Sequence, residues 1–148
     1  MGSVLRIIGK KLNVDQFTVG WNLEPVGITK KGDQSRRRNP NGKFIRYKES
    51  QFVFEISDAT FSDLKSQIRE TIEFLESNKK YIKRINADIT VDVMAIDFEF
   101  NSRIDRVNVE VQNDYFPAEL IKLMGKLNIS LWLTQWPCIP RVKNEKCV

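Results

Sequence analysis

The stretch Asp58–Asn78, DATFSDLKSQIRETIEFLESN, decides how the rest of the chain is read. Phe61, Leu64, Ile68, Ile72 and Leu75 recur at spacings of three and four, which puts them on one stripe of a helix and leaves charged residues on the other side. Thr60 with Asp63 fits a capping box, in which side chain and backbone satisfy each other's free groups at a helix start. The pattern predicts a helix to about Ser77 or Asn78, with Lys79–Ile85 continuing it or forming a further short turn. A helix with a single apolar stripe needs an apolar surface to cover, so the flanking segments must supply a sheet.

Upstream, Phe52, Phe54 and Ile56 alternate with Gln51, Val53 and Glu55 as a half-buried strand. Ser3–Gly9 and Val26–Thr29 read as shorter strands, and strand signal also appears at Lys43–Tyr47. Asn13 or Asp15 can cap a brief helix carrying Val14, Phe17 and Trp21, bounded by Gly20 and Pro25. Gly32–Gly42, with two glycines, a proline and two asparagines, reads as a loop.

Downstream, Ala87–Phe100 is the longest strand candidate, and its alternation changes phase midway. Either a bulge near Val93–Ala95 flips the register, or both faces are covered. Val107, Val109 and Val111 alternate with polar residues, and the turn at Asn101–Ile104 is short, which suggests an antiparallel hairpin. Phe116–Met124 is a second helix, with Pro117 in its first turn and Gly125 at its left-handed end. Asn128–Trp136 alternates again as a closing strand. Short connections favour antiparallel pairs. The expected fold is an α+β two-layer sandwich: a mostly antiparallel sheet, helices packed on one face, and ferredoxin-like halves. Residues 1–136 would form a single α+β domain and 137–148 a C-terminal tail.

Composition narrows the chemistry. A chain of 148 residues with 41% hydrophobic and 29% charged content can bury a core unaided. No apolar run approaches a membrane span, and the opening MGSVLRIIGKK is too short in apolar residues for a signal peptide, so a cytoplasmic location is expected. Cys138 and Cys147 lie close together near the end and do not make a disulfide framework. The chain has no histidine, which removes Ser-His-Asp and Cys-His machinery and the usual zinc sites. The expectation is a protein that is not an enzyme, with no cofactor-binding, metal or catalytic residues.

The net charge of +5 is concentrated. Ile28–Lys48 holds eight basic residues and one acid, so this segment carries +7 and the remainder −2. Within it, Lys30, Lys31, Arg36, Arg37, Arg38, Lys43 and Arg46 are candidates for a partner contact, because concentrated charge steers association and selects partners. The same cations could neutralise phosphates. Phe98, Phe100, Trp132 and Trp136 could share one sheet face, as a base-stacking platform, a protein hot spot, a dimer contact or a second core. Asp97 and Glu99 fall on one face of their strand and Asp92 on the other; pairing with a nearby Lys or Arg is the expected role.

Glu24-Pro25, followed by Lys31-Gly32-Asp33, resembles the early signature of the bacterial domain-of-unknown-function family 4279. The ending ELIKLMGKLNISLWL, Glu119–Leu133, is similar to that family's helix, glycine and final strand. The likeness covers about Val4 to Trp136, although the Trp that relatives often carry near Phe52 is absent. It implies a compact cytoplasmic bacterial domain with no established catalysis, of a kind found beside toxins as immunity proteins. Taken together, the leading expectation is a protein-binding domain that occludes an acidic-surfaced toxin, using the seven cations above with Trp132 or Trp136 as anchor. The alternative is a nucleic-acid-binding module using the basic 30–48 segment and the sheet-face aromatics. An enzyme acting on a phosphorylated small molecule ranks last, for want of a phosphate-cradling glycine loop. A homodimer through the aromatic face is open, and no membrane partner is expected.

Overall fold

The computed structural model describes residues 2–15, 23–104 and 109–137. Within them the order is β1 (Ser3–Gly9), β2 (Gly27–Thr29), β3 (Gln34–Arg38), β4 (Phe44–Arg46), β5 (Ser50–Ser57), α1 (Leu64–Asn86), β6 (Val93–Asn101), α2 (Ala118–Lys126) and β7 (Ser130–Trp136). Five strands form one sheet in the order β2-β5-β1-β6-β7, while β3 and β4 pair separately. The fold is α+β, with both helices packed on one side of a mostly antiparallel sheet.

β1 lies at the centre of the sheet. Leu5 pairs with Phe54 on one side and Ile96 on the other; Ile7 pairs with Phe52 and Met94. These side chains face the helices and are buried, together with Phe98 and Phe100. β5 and β6 both run antiparallel to β1 and sit on either side of it. The β5–α1–β6 crossover is thus a βαβ unit split by β1, as in one half of a ferredoxin-like fold. The β6–β7 pair is parallel, which fits its connection through α2.

α1 closes the helix-facing side with Ile68, Leu75, Ile82 and Ile85. Polar ties fix its position as well: Ser3 and Thr71 share a hydroxyl hydrogen bond of 2.9 Å, and Ser57 Oγ donates to Glu70. Gln67 Nε2 donates to the carbonyls of Thr60 and Glu99, tying α1 to β6. The helix starts later than its sequence suggested, and of the two readings of Lys79–Ile85 the continuous helix is the one observed. Asp63 is the N-cap, accepting from the Ser66 N–H, so the Thr60–Asp63 capping box does not form. Beyond Leu75, the buried stripe resumes at Ile82 and Ile85, which carries the helix on to Asn86.

Other expectations shift in detail. Residues 87–92 are turn and loop, so the long strand begins at Val93; its two faces are both buried, and no bulge is needed. Residues 109–112 lie outside any strand, which removes the described part of the Val107–Val111 hairpin; Val107 itself falls outside the described residues. Gly125 is inside α2, and Asn128 takes the left-handed conformation at φ 51°. Phe17, Trp21, both cysteines and the tail beyond Pro137 also fall outside the described residues. Among the described residues, no helix is long and apolar enough to cross a membrane.

Candidate partner-binding site

The basic segment is a β-hairpin: the strand expected at Lys43–Tyr47 is present as β4, while β3 lies where Gly32–Gly42 was expected to be a loop, and two turns shape the pair. Lys30–Asp33 closes when the Asp33 N–H donates to the Lys30 carbonyl at 3.0 Å. Gly32 supplies φ 93°, the positive value that the third residue of a type II turn requires. Asp33 Oδ2 accepts from the Lys30 N–H, and the Gly32 and Tyr47 N–H groups donate across the base of the hairpin to Tyr47 and Asp33 carbonyls. At the tip, Asn39-Pro40-Asn41-Gly42 closes through the Gly42 N–H to the Asn39 carbonyl, with Gly42 at φ 75°. Asn39 Oδ1 also accepts from the Lys43 N–H. Between these turns, Gln34 pairs with Arg46 and Arg38 with Phe44. Charged strands without alternation carry little sheet signal, and the glycine and proline content made the segment look like a loop.

The hairpin sorts the predicted cations into engaged and free. Lys30 forms an ion pair of 2.6 Å with Asp15, whose hydrogen bond and charge raise its pKa above the ordinary lysine value. Lys31 Nζ donates to the Lys10 carbonyl, and Arg46 to the Gly32 carbonyl. The Arg38 guanidinium lies 4.2 Å from the Phe44 ring centre, a cation–π contact. Arg36, Arg37 and Lys43 have exposed side chains with no hydrogen bond or ion pair among the described residues. Beside them Phe44, Ile45 and Tyr47 are exposed, a cluster the sequence reading did not single out. The signal was available: FIRY is an apolar run in a segment that no helix covers.

The tryptophans belong to another surface. Parallel pairing sets Trp132 beside Asp97 and Trp136 beside Asn101, on the sheet face away from the helices. Phe98 and Phe100 point into the core, so the four aromatics do not share a face. Trp136 is engaged already: its Nε1 donates to Glu99 Oε2 at 3.3 Å, and its ring stacks on Phe61. Trp132 and Trp136 lie on β7, one edge strand, whereas the hairpin follows β2, the other edge strand. Four strand spacings separate those edges, roughly 19 Å, so no single small contact joins the cations to the tryptophans.

Asp97 and Glu99 find their cation, as expected, and it comes from β1. Arg6 donates to Asp97 Oδ2 at 2.9 Å through Nε and lies 3.4 Å from Glu99 Oε1. Thr134 donates to the second Asp97 oxygen. This network holds β1, β6 and β7 together on the face the helices do not cover. Among the described residues, no group of three or more His, Cys, Asp or Glu is placed to hold a metal ion.

No curated protein and no solved structure matches the chain. A family model, described as a domain of unknown function (DUF4279), matches residues 2–137. The match takes in the Lys30–Asp33 turn, the sheet and both helices, and the chain belongs to that family.

Proposed function

We propose that this chain is a non-enzymatic protein-binding domain, an immunity-type inhibitor that binds and occludes a bacterial toxin. One observation carries the reading: the hairpin presents Arg36, Arg37 and Lys43, cations with no ion pair among the described residues, in the same hairpin as exposed Phe44, Ile45 and Tyr47. Arginine and aromatic side chains are the groups that dominate protein interfaces, and unpaired charge speeds encounter with an acidic surface. The family resemblance adds the toxin association by analogy only.

Co-expression with a toxin found encoded by a neighbouring gene tests the idea. Growth should be rescued, and R36A/R37A/R38A should abolish rescue while leaving the circular dichroism spectrum unchanged. Failure to bind that toxin, or full rescue by the triple variant, removes the proposal. A second reading, nucleic-acid binding, is favoured by the hairpin's shape, because a two-stranded ribbon fits the major groove. In that case duplex binding would fall with salt at a log–log slope of about −3, roughly −0.9 for each neutralised phosphate.

A further inference from the structure

The segments beside the first turn of α1 enclose a cavity of about 460 Å³ that shares no residue with the hairpin. That volume falls within the range of small-molecule sites. Its apolar walls are Leu64 and Ile68 from α1 with Tyr115 and Pro117 from the segment before α2. Ile68 is nearly buried, and the Tyr115 ring is 78% exposed at the mouth, an apolar body in water with room beside it.

The rim is fixed by a polar network. Arg103 donates to Asp114 Oδ1 at 2.8 Å and to the Asn113 carbonyl at 3.2 Å. Gln112 Nε2 donates to the other Asp114 oxygen, and the Arg103 N–H donates back to Gln112. Asp114 therefore has both oxygens occupied, and its charge is matched by Arg103. Lys65 is the remaining charge on the wall, exposed and without a hydrogen bond or ion pair among the described residues. The nearest acid in sequence, Asp63, caps the helix through Ser66 and acts on Lys65 through its charge without forming an ion pair with it.

We infer that this cavity binds a small amphipathic anion, with a flat aromatic body against Leu64, Ile68, Tyr115 and Pro117 and its carboxylate or sulfonate at Lys65. Apolar walls supply the burial, and one exposed cation without an ion pair among the described residues, on a pre-formed rim, supplies orientation. An amide NMR titration with 2-naphthoate tests it. Saturable one-to-one shifts are expected at residues 64–68, 103 and 113–117. Lys65→Met should weaken binding about tenfold or more, and Leu64→Trp, which fills the space, should abolish it. Shifts centred elsewhere, at Trp132 for example, or no saturation at millimolar ligand would overturn the site. Equal binding of neutral 2-naphthol, with no loss in Lys65→Met, would overturn the assignment to an anion.

Discussion

Replacing Arg6 by methionine tests the network that joins the three strands. Asp97 is only 2% exposed and Glu99 is also buried, and Arg6 is the only cation paired with either among the described residues. The substitution keeps apolar bulk on β1 but leaves two carboxylates without a counter-charge. Removing one partner of a fully buried pair costs about 3–5 kcal/mol. The Arg6 side chain is 21% exposed, so water screens part of the interaction. A loss of about 2–4 kcal/mol is therefore expected. For a domain of this length, each kcal/mol lowers the melting temperature by about 3 °C, giving a drop of roughly 6–12 °C. Urea unfolding followed by circular dichroism at pH 7 measures the free energy, and a thermal melt gives the second reading. Repeating the substitution in an Asp97→Asn background isolates the pair. The cost should shrink by about 1 kcal/mol or more, because the neutral amide needs no cation. If Arg6→Met costs less than about 1 kcal/mol, the carboxylates are well solvated without it and the reasoning fails.

Two further perturbations test other parts of the fold. In Gly9→Ala, the added Cβ would stand 2.0 Å from the Thr90 carbonyl oxygen, a backbone wall that cannot swing away. A cost of about 3 kcal/mol is expected in urea unfolding, whereas Gly125→Ala, with open space around it inside α2, should gain about 1 kcal/mol. Asp63 and Asp88 have carboxyl pKa values below the ordinary aspartate range, held there by hydrogen bonds from Ser66 and Thr90 respectively. A lowered folded-state value means the stabilisation is present above the unfolded pKa and is lost as pH falls through the folded one. Unfolding measured from pH 6 to pH 2 should show that loss, and Asp63→Asn, which still caps the helix but carries no charge, should shrink the pH dependence by lowering stability at neutral pH and leaving it unchanged at pH 2.

Much of the fold was legible where local pattern and burial coincide. β1, β2 and β5 were read with bounds close to those observed, β5 from its alternation and β1 from its β-branched and aliphatic composition. The Lys31-Gly32-Asp33 turn was legible too, since only a positive φ at Gly32 makes its hydrogen bonds possible. Of the hairpin only β4 was legible; β3 was not, because three consecutive arginines satisfy no burial pattern, and the two strands are held by their mutual pairing and by turns. The tryptophan face was hidden for a different reason. Alternation orders the residues within one strand, but the parallel register of β6 with β7 decides which β7 residues join Asp97 and which join Phe98. Of the candidate site, the cations were visible and their apolar neighbours were not. The cavity beside α1 depends on distant segments meeting, which no local pattern encodes.

The central position of β1 also sets the order of events when the chain is made. It is synthesised before both its partners: β5 begins at Ser50 and β6 only at Val93. Until then Val4, Leu5, Ile7 and Ile8 have no sheet to join. Folding must wait for contacts between distant segments, which slows it and exposes an aliphatic strand on the nascent chain. A ribosome that stalls before Val93 would release a fragment whose central strand still has one open edge. The sheet closes around β1 only once β6, made after β5, has joined its second edge.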